Sequence, residues 1–197
     1  MISPIQHIDI PNGKMDYYPL FITATESKEF MRILKAEVSW KQDEIKMFGK
    51  IHQVPRLQAW YGDENLAYSY SGIKMEPEKW HPLLAKIKKQ IEEKTGFEFN
   101  SVLVNLYRDG QDSNGWHADN ERELGINPVI ASVTLGEERF FHIKHRKIQE
   151  QRKKLKLENG SLLVMHGTMQ HHWLHQIAKT KREVGVRLNL TFRKIIS

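Results

Sequence analysis

The sequence predicts an α+β fold, a β-sandwich or barrel with helices packed on one side. Three observations predict it. Apolar residues at helical spacing are confined to the part of the chain before Gly96. After Phe97 the spacing changes to period two, as in strands whose successive side chains face opposite ways. The period-two runs are short and are separated by Gly, Asn and Asp, residues that turn a chain between strands.

Thr25 suits the cap of a helix over 26–38, since its hydroxyl can accept an N–H that the helix start leaves unpaired. Phe30, Ile33, Leu34 and Val38 share one face of that helix. The rest of the first third reads as irregular structure. Pro82 fits a first helical position, where no N–H is needed. Leu83, Leu84, Ile87 and Ile91 form the apolar stripe of that second helix, and Gly96 ends it. Strands are expected at 101–107, 129–135, 139–145, 161–166, 172–177 and 184–193. The stretch 139–156 is crowded with Lys and Arg, from Arg139 to Lys156, with Glu150 its one acid. Composition alone makes it a solvated hairpin loop. With no internal repeat and no Pro/Ser/Gly-rich linker, 1–197 reads as one domain.

A chain of 197 residues can bury a sizeable core. Its 40% hydrophobic and 27% charged residues exclude wholesale disorder. The absence of Cys excludes a disulfide scaffold, a zinc finger, an iron–sulfur centre and a thiol nucleophile. Any metal must therefore use His, Asp or Glu, and there are 10 His. Lys+Arg outnumber Asp+Glu by 30 to 24, and the net charge of +6 is a moderate hint of a polyanionic partner. No signal peptide, membrane-length apolar run or lipidation motif is visible. The expectation is a soluble protein of the cytoplasm, nucleoid or nucleus with no membrane partner.

His117 and Asp119 stand two apart, so in an extended segment an imidazole and a carboxylate project from the same face. Glu121 continues that face if the extension persists. A third ligand must come from elsewhere, and 172–177 offers several histidines. Two His and one carboxylate on one side of an ion leave its other side open, the site type of non-haem Fe(II) oxygenases. In the last strand Arg187, Asn189, Thr191 and Arg193 share one parity, while Val186, Leu188, Leu190 and Phe192 share the other. If the polar face looks into a barrel, two Arg require anionic partners, because an unpaired buried charge is costly. A small dicarboxylate satisfies both.

The chain resembles the AlkB family of Fe(II)/2-oxoglutarate dioxygenases, most closely its double-strand-DNA repair branch, over residues 47–194. The resemblance is carried by Asn105-Leu106-Tyr107-Arg108-Asp109-Gly110, His117-Ala118-Asp119-Asn120-Glu121-Arg122-Glu123-Leu124 and Pro128-Val129-Ile130-Ala131-Ser132-Val133. Asn159-Gly160-Ser161-Leu162-Leu163, His172-Trp173-Leu174-His175 and Arg187-Leu188-Asn189-Leu190-Thr191-Phe192-Arg193 continue it in the same order. It implies a double-stranded β-helix (jelly-roll) core over 101–197. Residues 1–100 would be helical support with a nucleotide-recognition lid and finger. It further implies His117, Asp119 and His175 as iron ligands, with His175 taking the third place rather than His171 or His172. Arg187 would grip the distal carboxylate of 2-oxoglutarate and Arg193 would lie near its 1-carboxylate. Asn105, Tyr107, Asn189 and Thr191 would line the same pocket.

The implied reaction is oxidative demethylation of bases such as 1-methyladenine and 3-methylcytosine, with Fe(II), 2-oxoglutarate and O2, releasing succinate, CO2 and formaldehyde. Such substrates are cationic, and Glu121 sits where the resemblance places a carboxylate near them; the adjacent position, acidic in relatives, is Asn120 here. A base must leave a duplex to reach a buried metal. Met47-Phe48-Gly49-Lys50 resembles the finger of the double-strand branch, with Phe48 the wedge, Lys50 near a phosphate and Arg56 touching the opposite strand. Tyr68-Ser69-Tyr70 would put Tyr70 in a stack on the flipped base and Tyr68 in a hydrogen bond to it. The basic stretch 139–156 would contact the complementary strand of double-stranded DNA, and the resemblance suggests a monomer. Competing readings keep the chemistry on methylated RNA or single strands, make the chain a non-catalytic nucleic-acid binder, or make it a cupin-like metal enzyme.

Overall fold

The computed structural model describes residues 4–47, 49–64, 66, 68–70, 73–75 and 77–196, with the backbone alone at 45–47, 68–70 and 73–75. Phe48 therefore lies outside the described residues, as do the side chains of Tyr68, Ser69 and Tyr70.

The strands run β1 (Gln6–Ile10), β2 (Gly13–Tyr18), β3 (Glu44–Met47), β4 (Lys50–Gln53), β5 (Leu57–Gly62), β6 (Tyr68–Tyr70) and β7 (Ile73–Met75) in the first hundred residues. They continue with β8 (Ser101–Tyr107), β9 (Asn114–His117), β10 (Ile130–Gly136), β11 (Arg139–His145), β12 (Arg152–Leu157), β13 (Leu162–His166), β14 (Trp173–Ile177) and β15 (Arg187–Arg193). A seven-stranded antiparallel sheet has the order β1-β2-β13-β10-β15-β8-β5, and a four-stranded sheet has the order β12-β11-β14-β9. From β8 onward the chain passes repeatedly between the two sheets. That alternation makes the expected jelly-roll core, with one sheet closing over the other.

The first hundred residues are more than a helical support. Strands β1, β2 and β5 extend the seven-stranded sheet at both edges. The expectation of irregular structure there missed a local signal, Pro11-Asn12-Gly13, where Asn12 takes φ 57 to turn β1 into β2. Helix α1 (Ala24–Glu37) starts two residues earlier than expected: Thr23, not Thr25, is its cap. Thr23 and Glu26 form a reciprocal capping box, which pairs two N–H groups where Thr25 offers no such arrangement. Helix α2 (Pro82–Thr95) has Pro82 in its first turn and Gly96 at φ 74 as its cap.

Two cores result. Leu34 from α1 and Leu84, Ile87 and Ile91 from α2 pack with Val104, Leu190 and Phe192 on the outer face of the large sheet. Each fully buried aliphatic side chain there contributes roughly 1.5–3 kcal/mol. Between the sheets, Tyr107, Phe141, Ile143, Leu163, Met165 and Trp173 form the second core. Strand β15 serves both: all seven of its residues are buried, the apolar parity in the helix-side core and the polar parity toward the interior between the sheets. The basic stretch forms the expected hairpin, with most of it in paired strand: β11 and β12 pair from Arg139 opposite Leu157 to Lys144 opposite Arg152. Its first residue, Arg139, is buried at 5% exposure and donates to the carbonyls of Asp109, Asp112 and Ala178. Arg139 ties loops together and is not a surface contact. Among the described residues, no helix is long and apolar enough to cross a membrane.

Candidate metal centre

The inner face of the small sheet carries the two histidines. β9 ends at His117 and β14 holds His175 directly opposite it, with ring centroids 4.2 Å apart. Asp119 follows on the loop after β9. Ligand atoms of His117, Asp119 and His175 all lie within 4.8 Å of one another. His171 and His172 instead belong to the short helix α3 (Met169–His172), outside this cluster. Two imidazoles and one carboxylate, gathered at one end of an interior cavity, fit a non-haem Fe(II) ion.

Protonation suits a cation as well. Burial pushes His175 down to about 3, reinforced by the charge of His117, so it is neutral at ordinary pH. Burial alone would raise the Asp119 carboxyl, but Arg193, His175 and His117 outweigh it and hold it well below the usual carboxylate range. Both groups are thus already in the form that binds metal. Arg193 donates to Asp119 Oδ1 at 2.7 Å, while Oδ2 lies 3.6 Å from His175 Nε2. His117 places Nδ1 2.7 Å from the carbonyl of Gly115, an acceptor, so Nδ1 carries the proton and Nε2 presents its lone pair.

The cavity beside the triad has a volume of about 40 Å³, more than one water requires. All the pocket residues expected from the sequence line it: Asn105, Tyr107, Arg187, Asn189, Thr191 and Arg193. Arg187 is 1% exposed, and its Nε and Nη1 have no hydrogen-bond partner among the described residues. Thr134 Oγ1 accepts from Nη2 at 3.0 Å, and the guanidinium carbon lies 5.1 Å from the Tyr107 ring centroid. Burial lowers this guanidinium to about 10, so it remains charged. A buried cation with two idle donors calls for an anion. Asn189 donates to Ser132 Oγ, and Thr191 donates to Asn189 Oδ1, which orders the rest of that wall.

Arg56 departs from expectation. It is 3% exposed and lines the same cavity, with Nε donating to Asn105 Oδ1 at 2.8 Å and Nη1 to the carbonyl of Ser113 at 3.1 Å. A guanidinium enclosed in this way does not reach an opposite DNA strand. Gln58 donates to the same Asn105 oxygen at 2.9 Å. Strand β9 ends at His117, Asn120 is exposed, and Glu121, still extended at φ −61 and ψ 147, caps a 3-10 turn over Arg122–Leu124. Gly49 turns β3 into β4 at φ 76, and Lys50 beside it is exposed.

Two residues were missed by sequence reasoning. Gln170, fully buried on α3, accepts the backbone N–H of Asp119 at 3.0 Å. Asn114 places its amide nitrogen 3.1 Å from His117 Nε2. Nothing local singles out either side chain, since each gains its meaning from a neighbour across the fold. Histidines without an assigned role have ordinary partners: His166 bonds Asp16, and His145 Nδ1 accepts from the N–H groups of Lys147 and Ile148. His142 lies on the hairpin with its imidazole lowered by burial and by Lys154.

The sequence profile of the 2OG-Fe(II) oxygenase superfamily matches residues 14–193. The chain is 40% identical over 201 residues to the DNA oxidative demethylase ALKBH2 of Mus musculus, covering 97% of this chain and 84% of that protein. It is 41% identical over 187 residues to the alpha-ketoglutarate-dependent dioxygenase alkB homolog 3 of Homo sapiens, covering 90% of this chain and 65% of that protein. It thus spans just under two thirds of the alkB homolog 3 proteins of Bos taurus and Homo sapiens. The solved structure of OsALKBH1 superposes with a TM-score of 0.65 at 17% identity, covering 97% of this chain and all of that one, a likeness of fold. With that fold and a His117–Asp119–His175 cluster suited to Fe(II), this chain belongs to the 2OG-Fe(II) oxygenase superfamily and, within it, to the AlkB family.

Proposed function

We propose that the chain is a DNA repair dioxygenase that removes N-methyl groups from bases such as 1-methyladenine and 3-methylcytosine in double-stranded DNA, after flipping the base out of the stack. The observation that carries this reading is Arg187: a buried guanidinium with two nitrogens that have no partner among the described residues, in the cavity that the triad lines. When bound there, Fe(II) with 2-oxoglutarate and O2 supplies the oxidation of the methyl group, with succinate, CO2 and formaldehyde as products. The residues do the rest. Arg187 binds the distal carboxylate of 2-oxoglutarate through Nε and Nη1. Arg193 holds Asp119 in place and keeps it ionised, next to where the 1-carboxylate would lie. Asn105, whose oxygen is taken by Arg56 and Gln58, offers the cosubstrate the N–H groups of its amide. The burial of the site excludes bulk water and strengthens each of these contacts.

The proposed nucleic-acid contacts are Phe48, Gly49 and Lys50 at the β3–β4 turn, Tyr68, Ser69 and Tyr70 on β6, and Asn120 with Glu121 near the metal. The exposed face of the β11–β12 hairpin supports a polyanion: Lys144 lies 4.3 Å from the Trp116 ring centroid and Lys154 3.7 Å from that of Phe140. A panel of 1-methyladenine and 3-methylcytosine in duplex DNA, single-stranded DNA and RNA tests the reading, with formaldehyde and succinate measured in air and without oxygen. O2-dependent formaldehyde release, fastest on duplex DNA, is expected. Preference for RNA or single strands would establish the alternative substrate, and no formaldehyde from any methylated nucleic acid would remove the reading.

A further inference from the structure

We infer that Asn114 positions the metal-bound end of the cosubstrate, its side-chain N–H donating to a carboxylate oxygen that binds the metal beside His117. The inference rests on the proposed 2-oxoglutarate site and adds a residue to it.

Asn114 opens β9, three positions before His117. In a regular strand two residues three apart face opposite ways. Here the register shifts: His117 pairs with His175, but Asn114 pairs with Ile177, so three steps on β9 span two on β14. The extra residue is a bulge, which re-aims a side chain locally. Asn114 and His117 consequently both line the cavity, and Asn114 Nδ2 comes within 3.1 Å of His117 Nε2.

The direction of that bond follows from the tautomer. The carbonyl of Gly115 can only accept, so His117 Nδ1 carries the proton and Nε2 accepts from the amide. Nε2 is also the ring nitrogen left for a metal. A metal takes the lone pair that Asn114 now occupies, and the amide N–H is then released at the edge of the coordination sphere. An anionic oxygen bound next to His117 is the natural acceptor, and a charge-assisted bond to it is stronger than the one given up.

This predicts two opposite changes in one variant. Asn114→Leu removes the competing bond, so Co(II), used as a spectroscopic stand-in for Fe(II), should bind about two- to tenfold more tightly, the equivalent of one hydrogen bond. The Co(II)-loaded variant should bind 2-oxoglutarate at least about tenfold more weakly, read from the change in the Co(II) absorption spectrum. General damage to the fold would weaken both. Asn114→Ala, which adds no bulk, gives the same readings if leucine disrupts β9. Weaker Co(II) binding by a variant of unchanged Tm would make Asn114 itself a ligand and overturn the inference, as would unchanged 2-oxoglutarate affinity. If the unaltered Co(II)-loaded chain does not bind 2-oxoglutarate, the proposed function fails first and the inference with it.

Discussion

Gln170→Leu probes how the metal carboxylate is held. Leucine is of similar volume to glutamine, branches one carbon earlier and has no acceptor. Gln170 is fully buried, and its oxygen takes the Asp119 N–H at 3.0 Å, while its nitrogen meets the Met165 sulfur at 3.8 Å. The variant leaves the Asp119 N–H buried without that partner, a loss of about 1–3 kcal/mol, offset in part because a poorly satisfied amide leaves with it. A net loss of about 1–2 kcal/mol lowers Tm by roughly 2–8 °C in a chain of this size. The larger effect falls on metal binding. Asp119 is anchored through its backbone by Gln170 and through Oδ1 by Arg193. Losing one anchor of a ligand typically weakens metal affinity about 10–100-fold. Titrating the metal-free chain with Co(II), and comparing Tm with and without saturating Co(II), measures both effects. A lower Tm with unchanged Co(II) affinity would refute the reasoning and reduce Gln170 to a packing residue.

Two further outcomes follow from the same geometry. His175 is neutral in the folded chain well below pH 5, but in the unfolded chain it takes up a proton near pH ~6.5. The unfolded state therefore binds more protons as pH falls, and stability is lost below pH ~6.5; at pH 5 this one group costs about 2 kcal/mol. The Asp119 contribution has the same sign but persists until more acidic pH, since its folded-state value lies below the usual carboxylate range. Urea unfolding of the metal-free chain at pH 7 and pH 5 should show that loss, reduced in His175→Gln; equal losses in both would contradict it. Arg56→Met should raise the KM for 2-oxoglutarate equally with duplex and single-stranded substrates, because Arg56 holds Asn105. A loss confined to duplex substrate would instead restore its role as a DNA contact.

Much of the site was legible in the sequence because strand parity is local. The alternation in Arg187–Arg193 separates two guanidiniums from three apolar residues, and the structure puts those two sets in different interiors. The Pro82 and Gly96 helix boundaries were legible for the same reason, since both act through their own backbone. Thr23 and its box partner Glu26 are equally local, and a cap is set by the residue three positions onward, which is Glu26 for Thr23 but Lys28 for Thr25. Arg56 could not be placed from sequence. An arginine three residues after an exposed hairpin reads as a surface cation, and only the pairing of β5 with β8 brings it against Asn105.

The sequence by itself determined the chemistry on offer. Without cysteine, a metal had to find imidazole and carboxylate, and His117 with Asp119 supplied both from one short segment. Only the tertiary structure decided how that chemistry is assembled. It brought His175 rather than His171 or His172 to the pair, turned Arg56 inward, and set Gln170 against an aspartate 51 residues away. The reason is physical. Which way a side chain leaves a strand is fixed by its own backbone, whereas which groups meet across a cavity is fixed by sheet order, register and bulges, and these depend on the whole chain at once.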